Sequence, residues 1–229
     1  MDKIEKHVLI VAGGDGTRMG NKLPKQFCSI AGKPMLFLAF QSFMHLPDVK
    51  YTLVLGSKYI EFWQNLCKRE GFNIPHDIAI GGPTRFHSVK SGLKNISSGS
   101  LVLIHDAARP FVSKQTIKNI VEIASRKGNA IPVINITDTI RKVEGAYSNI
   151  IDRNKLRAVQ TPQGFHASLI KSAYNQPYDE TFSDDANVLE STGVKINIVA
   201  GNAENIKISN PIDLIIAESI LGHLAQTSG

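Results

Sequence analysis

Short, uniformly apolar runs alternate along the chain with longer stretches in which apolar residues recur every three or four positions. A short apolar run without polar alternation is typical of a strand that is buried on both faces of a sheet. The pattern predicts strands at His7–Ala12, Tyr51–Leu55, Asp77–Ile80, Leu101–His105 and Ala130–Asn135. It predicts helices at Pro34–Met44, Tyr59–Arg69, Arg85–Asn95 and Ser113–Lys127. Helices of this length can make right-handed crossovers between parallel strands, so the predicted fold class is α/β with a doubly wound, mostly parallel sheet.

This rhythm changes after Asn135, where two short strand-like segments flank a turn-like spacer. The segments are Thr139–Val143 and Asn149–Arg153, and the spacer is Glu144-Gly145-Ala146. The pattern predicts a β-hairpin arm at about residues 137–156. A two-stranded arm with little apolar content is marginal in isolation. We therefore expect it to pack on a second subunit, which makes the protein a homodimer.

The remaining segment is expected to return to the sheet and to end in a long helix. Helices are predicted at His166–Asn175 and Asp184–Ser191, and a strand is predicted at Lys195–Ala200. In the last helix, Asn210 suits the N-cap and Pro211 suits the first helical position. One face of that helix carries Ile212, Ile215, Ile216, Ser219 and Ile220. The chain shows no repeat, low-complexity tract or linker, so we expect residues 1–229 to form one domain.

Composition agrees with a folded protein. Hydrophobic residues make up 42% and charged residues 20% of the 229 residues, which excludes intrinsic disorder. No apolar run approaches the roughly 18 to 20 residues of a membrane span, and Met1–Lys6 is too charged to open a secretory signal. We therefore expect a cytoplasmic protein without a membrane partner. Cys28 and Cys67 show neither zinc-ligand spacing nor a disulfide framework.

The charge balance is basic, with 26 Lys and Arg against 20 Asp and Glu and a net charge of +6. Such a surplus is compatible with nucleic acid, an anionic surface or a small anionic substrate. The sequence has no long block of basic residues and no aromatic-rich RNA-binding segment. Its suggestive Lys and Arg residues stand singly beside Gly, Pro or Asp, which is typical of a pocket for phosphates. We therefore expect small-molecule substrates and no nucleic-acid partner.

The first predicted strand leads into a glycine-rich loop that spans residues 12–20 and reads AGGDGTRMG, followed by Pro24-Lys25-Gln26. Glycines let backbone N–H groups approach an anion closely, and Arg18 and Lys25 supply positive charge. The loop lacks the third glycine of a dinucleotide-binding fingerprint and the Gly-Lys-Ser/Thr of a P-loop. A tight turn also explains the glycines, but Arg18 and Lys25 favour a phosphate site.

The fourth predicted strand ends in the segment His105-Asp106-Ala107-Ala108-Arg109-Pro110. Ligands of open α/β sheets bind at the carboxyl edge, so Asp106 is placed to meet a metal or metal-bound water. One carboxylate is sufficient for Mg²⁺ when substrate phosphates complete its shell. An equally good alternative makes Asp106 a turn or capping residue with Arg109 as its partner. We expect His105 to be structural.

Two further segments carry weaker signals. After the third predicted strand, Gly81-Gly82-Pro83 offers a backbone surface for a flat base, and Ser88 offers a hydroxyl for a hydrogen bond. Before the last helix, Glu204-Asn205-Ile206-Lys207 places a carboxylate and an ammonium group in one loop. An exposed charge pair between Glu204 and Lys207 is the simpler explanation of that loop.

Together these segments resemble nucleotidyltransferases that activate sugar and polyol phosphates, and most closely the family of 2-C-methyl-D-erythritol 4-phosphate cytidylyltransferases. The resemblance covers nearly the whole chain and implies a Rossmann-like sheet. The motifs that carry it are, in order, AGGDGTRM with PKQ, GG followed by Arg85 and Ser88, HDAARP, DTI at 138–140, DRN at 152–154, QTPQ at 160–163, SDDA at 183–186 and NIK at 205–207.

The resemblance implies transfer of a cytidylyl group from CTP to methylerythritol phosphate, with Mg²⁺ as cofactor, in the non-mevalonate route to isoprenoids. It implies that Arg18 and Lys25 stabilise the transition state and that Asp106 organises Mg²⁺. It assigns CTP binding to Ala12, Gly13, Gly14, Gly16, Gly82, Ser88 and Ala107. It assigns the acceptor to Arg109, Thr139, Arg153 and Lys207, of which Arg153 and Lys207 are also catalytic, and the arm of a partner subunit would supply Thr139 and Arg153. Pro83 and Glu204 depart from the acidic residue and the Asp expected at those positions.

The chemistry of phosphate transfer explains the charged residues without reference to the family resemblance. Attack by a phosphate monoester on the α-phosphorus of a triphosphate brings two anions together, so cations must cancel charge before the oxygens can align. A monoester with a second pKa near ~6 is already largely dianionic at neutral pH and needs no strong base. The sequence accordingly contains no obvious catalytic His or Ser.

Two other functions stay open at this point. Ribitol 5-phosphate cytidylyltransferases share the glycine-rich loop, Pro-Lys-Gln and Gln-Thr-Pro-Gln, whereas Ala107-Ala108 and Asp152-Arg153-Asn154 favour methylerythritol phosphate as the acceptor. A non-catalytic nucleic-acid-binding protein would also have a basic net charge, and it would bind DNA or RNA in a salt-dependent way.

Overall fold

The computed structural model describes residues 4–14 and 24–227, with only the backbone at positions 25 and 227. Its strands are β1 (Lys6–Ala12), β2 (Ser29–Ile30), β3 (Lys33–Pro34), β4 (Val49–Leu55), β5 (Asp77–Ile80), β6 (Leu101–Asp106), β7 (Asn129–Asn135), β8 (Ile140–Glu144), β9 (Tyr147–Ile151), β10 (Arg157–Val159), β11 (Gln163–His166) and β12 (Ile198–Ala200). Its α-helices are α1 (Met35–Gln41), α2 (Ile60–Glu70), α3 (Arg85–Leu93), α4 (Lys114–Lys127), α5 (Ala167–Ala173), α6 (Asp185–Glu190) and α7 (Pro211–Thr227).

An eight-stranded sheet forms the centre of the fold. Its strands follow the order β10-β7-β11-β6-β1-β4-β5, and β12 pairs with β7. β1 lies between β4 and β6 and is parallel to both, and β5 continues the parallel order beyond β4. Every residue of β6 is buried, as expected for a strand covered on both faces. The sheet confirms the predicted α/β class.

The sheet contains two strands that the apolar pattern does not predict, β10 and β11. β11 runs antiparallel between β6 and β7 and pairs with both. Its sequence, Gln163-Gly164-Phe165-His166, has a single large apolar residue, which is too weak a signal for a strand. β10 and β11 therefore run against the other strands of this sheet, which share one direction.

β1 shows how the two faces of the sheet are filled. Val8 and Ile10 belong to one buried cluster, and the intervening Leu9 belongs to the other. The first cluster is completed by residues of α1, α2 and α4, among them Phe40, Trp63 and Ile120. The second is completed by residues of α3, α5 and α6, among them Val89, Ile170 and Leu189. Helices thus cover both faces of the sheet, which is the predicted doubly wound arrangement.

α7 packs beside α1 through Ala217, which is buried, and through the half-buried Leu214 and Leu221. The isoleucine face noted in the sequence is mostly exposed, since Ile212 and Ile215 are 59% and 62% exposed, whereas Ile220 packs against the same cluster as Ala217. Apolar residues lie on most sides of this helix, so the sequence pattern alone does not choose the side that packs. Within the described ranges, no helix is both long enough and apolar enough to span a bilayer.

β8 and β9 form the predicted hairpin arm, with a tighter turn than expected. Glu144 pairs directly with Tyr147, which leaves a two-residue turn with a φ of +61° at Gly145, a conformation that favours glycine. The arm exposes large apolar side chains, since Val143, Tyr147 and Ile150 are 72%, 82% and 70% exposed. A two-stranded ribbon of this kind needs a further surface to be stable.

The second strand of the arm ends earlier than predicted. β9 stops at Ile151, and Arg153 lies in a single 3-10 turn over Arg153–Lys155 instead of in a strand. The turn forms because the Asp152 carboxylate accepts the backbone N–H of Asn154 at 3.0 Å. Such local capping by Asp competes with strand pairing.

Candidate active site

The carboxyl ends of β1, β4, β5 and β6 lie at one edge of the sheet, and the loops that follow them meet there. Two backbone hydrogen bonds continue past the strand ends, from Gly81 N to the Leu55 carbonyl at 2.7 Å and from Ala107 N to the Val11 carbonyl at 3.1 Å. The loop after β1, the loop after β5 and Asp106 at the end of β6 are thereby brought to the same edge. This is where open α/β sheets bind their ligands.

Gly13 is the point of close approach between the first two loops. A Cβ atom at this position would lie 2.8 Å from Ser88 Oγ and 3.7 Å from Gly81 Cα, so a side chain fits only if its neighbours move. Ser88 is buried and accepts the backbone N–H of Gly82 at 3.1 Å. Ala12, Gly13, Gly82 and Ser88, four of the residues predicted to hold CTP, therefore lie side by side.

Gln26 holds the loop after β1 in place, a role that the sequence did not indicate. Its Nε2 donates to the carbonyls of Ala12 at 2.8 Å and Gly14 at 3.1 Å. The residue is buried, so these hydrogen bonds are shielded from water. The glutamine of the Pro-Lys-Gln motif thus positions the predicted phosphate loop.

Three further predicted site residues belong to the glycine-rich loop and to the Pro-Lys-Gln motif that follows it. Gly16 and Arg18 lie outside the described residues, and so does the side chain of Lys25. The backbone of Lys25 forms part of a short 3-10 helix, Lys25–Phe27. Their roles stay predictions.

Asp106 binds two cations from distant parts of the chain. Its Oδ2 accepts a hydrogen bond from Lys207 Nζ at 2.8 Å, and its Oδ1 accepts one from Arg85 Nε at 3.3 Å. Burial by itself raises the pKa of the Asp106 carboxyl, but Arg85 and Lys207 outweigh burial and hold that pKa well below its ordinary range. The site therefore contains a carboxylate that stays ionised at physiological pH.

The simpler pairings inferred from sequence spacing are not the ones that form. Glu204 accepts a hydrogen bond from Asn202 Nδ2 at 3.0 Å, whereas Lys207 turns to Asp106. Arg109 contacts Asp106 through the main chain, from Arg109 N to the Asp106 carbonyl at 3.0 Å. Asp106 is thus a turn residue, as the alternative predicted, but its carboxylate has other partners.

The side chain of Arg109 points toward the loop that carries Lys207. Its Nη1 donates to the Asn205 carbonyl at 2.8 Å, and its Nε is buried without a hydrogen-bond partner among the described residues. Asn205 is itself buried and donates from Nδ2 to the Thr161 carbonyl at 2.8 Å. Arg109 and Lys207, both predicted to bind the acceptor, are therefore brought to one side of Asp106.

His105 has the structural role predicted for it. Its Nε2 lies 2.8 Å from the Arg109 carbonyl and its Nδ1 lies 3.2 Å from Thr161 Oγ1. A carbonyl can only accept, so Nε2 carries the proton and Nδ1 accepts from the Thr161 hydroxyl. Burial lowers the pKa of His105 to about 4, which keeps the ring neutral.

A buried ion pair beside Asp106 is the main feature that sequence reasoning missed. Arg85 donates through Nη1 and Nη2 to the two carboxylate oxygens of Asp185, each at 2.7 Å. Tyr174 donates its hydroxyl to Asp185 Oδ1 at 2.6 Å. Arg85 and Asp185 both stand inside quoted motifs, at the first residue of α3 and of α6, but nothing in their spacing indicated that they pair.

Thr139 and Arg153 are not brought to this edge within one chain. Both are exposed residues of the arm, and Arg153 donates a hydrogen bond to the carbonyl of Thr137, which also belongs to the arm. No hydrogen bond or ion pair between described residues connects them to Asp106 or Lys207. Their contact with the acceptor and their supply by a partner subunit stay predictions.

The residues at the edge fit a magnesium ion that shares a substrate. The described residues contain no group of three or more His, Cys, Asp or Glu side chains able to hold a metal. Asp106 offers a single ionised carboxylate, and Asp185 is closed by its fork to Arg85. Mg²⁺ commonly binds through one or two carboxylates while substrate phosphates and water complete its shell.

Backbone-lined glycine loops beside an ionised carboxylate, at the carboxyl edge of a parallel sheet, define an α/β protein that binds a phosphorylated nucleotide. Comparison with known proteins makes this class specific. The model of the 2-C-methyl-D-erythritol 4-phosphate cytidylyltransferase family matches residues 6–223, and the chain belongs to that family. The predicted activity, cytidylyl transfer from CTP to methylerythritol phosphate in isoprenoid biosynthesis, is confirmed, and the two alternative functions are not favoured.

Individual relatives agree with the family model. The chain is 45% identical over 224 residues to the 2-C-methyl-D-erythritol 4-phosphate cytidylyltransferase of Phocaeicola vulgatus, covering 95% of this chain and 100% of that one. It is 46% identical over 215 residues to the protein of the same name from Bacteroides fragilis, covering 93% and 98%. The crystal structure of the Thermus thermophilus protein of that name matches this structure with a TM-score of 0.74. The two chains are 32% identical in sequence, and the match covers 95% of this chain and 98% of that one.

Proposed function

We propose that cytidylyl transfer takes place at the carboxyl edge of β1, β5 and β6, with CTP on the glycine loops and the acceptor phosphate at Lys207. The observation that carries this proposal is the pair of Asp106 and Lys207, whose charged atoms lie 2.8 Å apart beside those loops. A carboxylate and an ammonium group at one point suit a reaction in which two phosphates and a divalent cation must meet.

The nucleotide would lie along Ala12, Gly13 and Gly14, with its phosphates toward the segment that carries Gly16. Backbone N–H groups and the absence of side chains permit close approach to the triphosphate there. Ala107, buried beside Asp106, would complete this surface.

The base would lie against Gly82 and Ser88. The N–H of Gly82 already donates to Ser88 Oγ at 3.1 Å, and Pro83 has no N–H. The loop is therefore richer in carbonyl acceptors than in donors, which suits the exocyclic amino group of cytosine. The departure at Pro83 is compatible with CTP for this reason.

Asp106 would hold Mg²⁺ together with phosphate oxygens and water. The bound ion would offset negative charge on the triphosphate. Arg18 and Lys25 would stabilise the additional charge that develops on the transferring phosphorus, since Arg can bind two oxygens at once and Lys provides a mobile point charge.

The acceptor phosphate would bind Lys207 and Arg109. The side chain of Lys207 is 47% exposed, so it can exchange Asp106 for a phosphate oxygen. A phosphate monoester with a second pKa near ~6 is largely dianionic at neutral pH, and its oxygen attacks the α-phosphorus without a general base. The bond from the α-phosphorus to the bridging oxygen breaks, and pyrophosphate leaves with that oxygen.

The arm would complete the site in a homodimer. Its exposed side chains Val143 and Ile150 lie on one face of the ribbon and Tyr147 lies on the other. A second copy of the chain can cover these apolar side chains. Thr139 and Arg153 would then reach the acceptor in the partner's site. A cytoplasmic location stays a prediction.

Pyrophosphate release tests the proposed reaction directly. We expect release from CTP and Mg²⁺ with methylerythritol phosphate, at a kcat/KM at least roughly a hundredfold above that for ribitol 5-phosphate, because a site that hydrogen-bonds one acceptor's hydroxyls rejects an acceptor that places them differently. Asp106→Asn should lower kcat by roughly a hundredfold or more and remain folded. Equal turnover of both acceptors, or full activity of Asp106→Asn, would contradict the proposal.

A further inference from the structure

Arg85 lies between two carboxylates and uses a different part of its guanidinium group for each. Its Nη1 and Nη2 each donate to one oxygen of Asp185 at 2.7 Å, and its Nε donates to Asp106 Oδ1 at 3.3 Å. The forked contact is the shorter and stronger of the two. The position of Arg85 is therefore set by Asp185, and only the remaining N–H group, at Nε, is left to bind Asp106.

Asp185 has no route to a substrate. It is completely buried, and its oxygens are taken by Arg85 and by the Tyr174 hydroxyl at 2.6 Å. A buried charge that lost this partner would be strongly destabilising. Arg85 and Asp185 thus hold each other in place, and the hydrogen bond from Arg85 Nε to Asp106 connects this pair to the candidate site.

The fork determines which oxygen of Asp106 stays available. Two parallel N–H···O bonds fix the plane of the Arg85 guanidinium, and that plane directs Nε to Oδ1 of Asp106. Oδ2 is left to Lys207 at 2.8 Å. The same oxygen is the one that a cation or an exchanging Lys207 would use.

Charge leads to the same conclusion as geometry. Arg85 and Lys207 carry two positive charges, and Asp106 and Asp185 carry two negative charges. Asp185 offsets the charge of Arg85, so Asp106 keeps a net negative charge whenever Lys207 moves to a phosphate. Without Asp185, the full charge of Arg85 would fall on Asp106 and weaken its attraction for a divalent cation.

We propose that Arg85 and Asp185 are positioning residues for cytidylyl transfer, which orient the Asp106 carboxylate and preserve its free negative charge. The proposal rests on the proposed role of Asp106. In this role Arg85 and Asp185 act through Asp106 and not directly on the reacting phosphorus.

Asp185→Asn is the primary test, because it keeps the shape of the side chain and removes its charge. We expect kcat to fall about tenfold or more, as when a reacting group is slightly misplaced, while KM for CTP changes less than about threefold, since the glycine loops are untouched. Asp184→Ala is the matched control. Asp184 caps the same helix by accepting the Asn187 N–H at 2.8 Å but does not touch Arg85, so the control should lose thermal stability and keep its kcat. An equal loss of kcat in the control would overturn the proposal.

A double-mutant cycle separates action through Asp106 from general damage. We expect Asp185→Asn to lower kcat further by less than about threefold when Asp106→Asn is already present, because the two act as one unit. Additive losses would overturn the proposal. If Asp106→Asn alone leaves kcat unchanged, the proposed function fails; if it is inactive while Asp185→Asn has wild-type kcat, only the present inference fails.

Arg85→Lys provides a second test of the proposal if Asp185→Asn does not fold. The lysine retains the buried positive charge but cannot form the fork or fix a plane. We expect a folded protein with about a tenfold lower kcat and the same non-additivity with Asp106→Asn. A wild-type kcat in Arg85→Lys would show that the fork does not position Asp106.

Discussion

Lys207 Nζ lies 2.8 Å from Asp106 Oδ2, although Asp106 ends β6 near the middle of the sequence and Lys207 lies in the loop before α7. We expect Lys207→Ala to raise KM for the acceptor and to lower its kcat/KM by roughly a hundredfold, because a charge-assisted contact to phosphate is lost. Steady-state kinetics with each substrate varied in turn will measure this. Lys127→Ala, which removes an exposed lysine at the end of α4, is the control. An unchanged acceptor KM and kcat in Lys207→Ala would contradict the assignment.

Subunit mixing tests whether Arg153 acts in trans. Arg153→Ala and Asp106→Asn should each be nearly inactive, whereas an equilibrated mixture should recover up to about a quarter of wild-type activity, because half of the dimers then contain one intact site. Pyrophosphate release from the mixture is the measurement. Asp106→Asn mixed with Lys207→Ala is the control and should stay inactive, since those residues share one chain's site. No recovery in the first mixture would place Arg153 outside the partner's site.

The close approach at Gly13 predicts a steric effect on stability. We expect Gly13→Ala to lower the free energy of unfolding by about 1–3 kcal/mol, because the new Cβ would lie 2.8 Å from Ser88 Oγ. Urea denaturation will measure the loss. Gly14→Ala is the matched comparison for stability, since no atom lies within 4 Å of a Cβ there. The double variant Gly13→Ala/Ser88→Ala should recover stability, and a failure to recover would exclude the clash as the cause.

Replacing Tyr51 should increase stability, whereas replacing Gly13 should decrease it. Its hydroxyl is buried without a hydrogen-bond partner among the described residues, and burial raises its pKa to about 12. We expect Tyr51→Phe to raise the free energy of unfolding by about 1 kcal/mol, because an unsatisfied polar group is removed. Tyr174→Phe removes a hydroxyl that bonds to Asp185 and should be destabilising. Chemical denaturation of both variants will compare them, and a loss in Tyr51→Phe would indicate a partner for that hydroxyl.

His105 predicts acid sensitivity. Burial lowers its pKa from 6.5 to about 4 in the folded state, so between these values the unfolded chain binds a proton that the folded chain does not. Above pH 6.5 His105 contributes no pH dependence, and stability falls as pH drops through the window, by roughly 2 kcal/mol at pH 5. Unfolding measured at pH 7.5 and pH 5 will show the difference. His105→Asn should lose less stability over that interval, and an identical loss would assign the acid sensitivity to other groups.

The fold was largely predictable because its strongest signals are local. The parallel strands β1, β4, β5 and β6 are short apolar runs, because a strand that is buried on both faces of a sheet has apolar side chains on both sides. β11 was missed because its neighbours, and not its own single large apolar residue, make it a strand. The packing side of α7 was not evident from the sequence for a related reason, since apolar residues on most sides of a helix do not indicate which side is covered.

The candidate site was predictable to the level of its loops. Glycine-rich segments and Asp106 follow predicted strands, and parallel topology brings strand ends together. Gln26 and the Arg85–Asp185 pair were not predicted, because a buried side chain acquires its function from partners that spacing does not reveal. Thr139 and Arg153 are the opposite case. Their motifs were recognised in the sequence, but in the structure of one chain both are exposed residues of the arm.

By itself, the sequence determined the sheet class, the hairpin arm and the order of the motifs, because these depend on hydrophobic periodicity and on residues that are neighbours along the chain. Only the tertiary structure decided that Asp106 faces Lys207 and Arg85 instead of Arg109, and that Asp185 is closed to ligands. Ion pairs form between groups that are close in space, and the fold brings these four groups together from a strand end, the first turns of two helices and a loop.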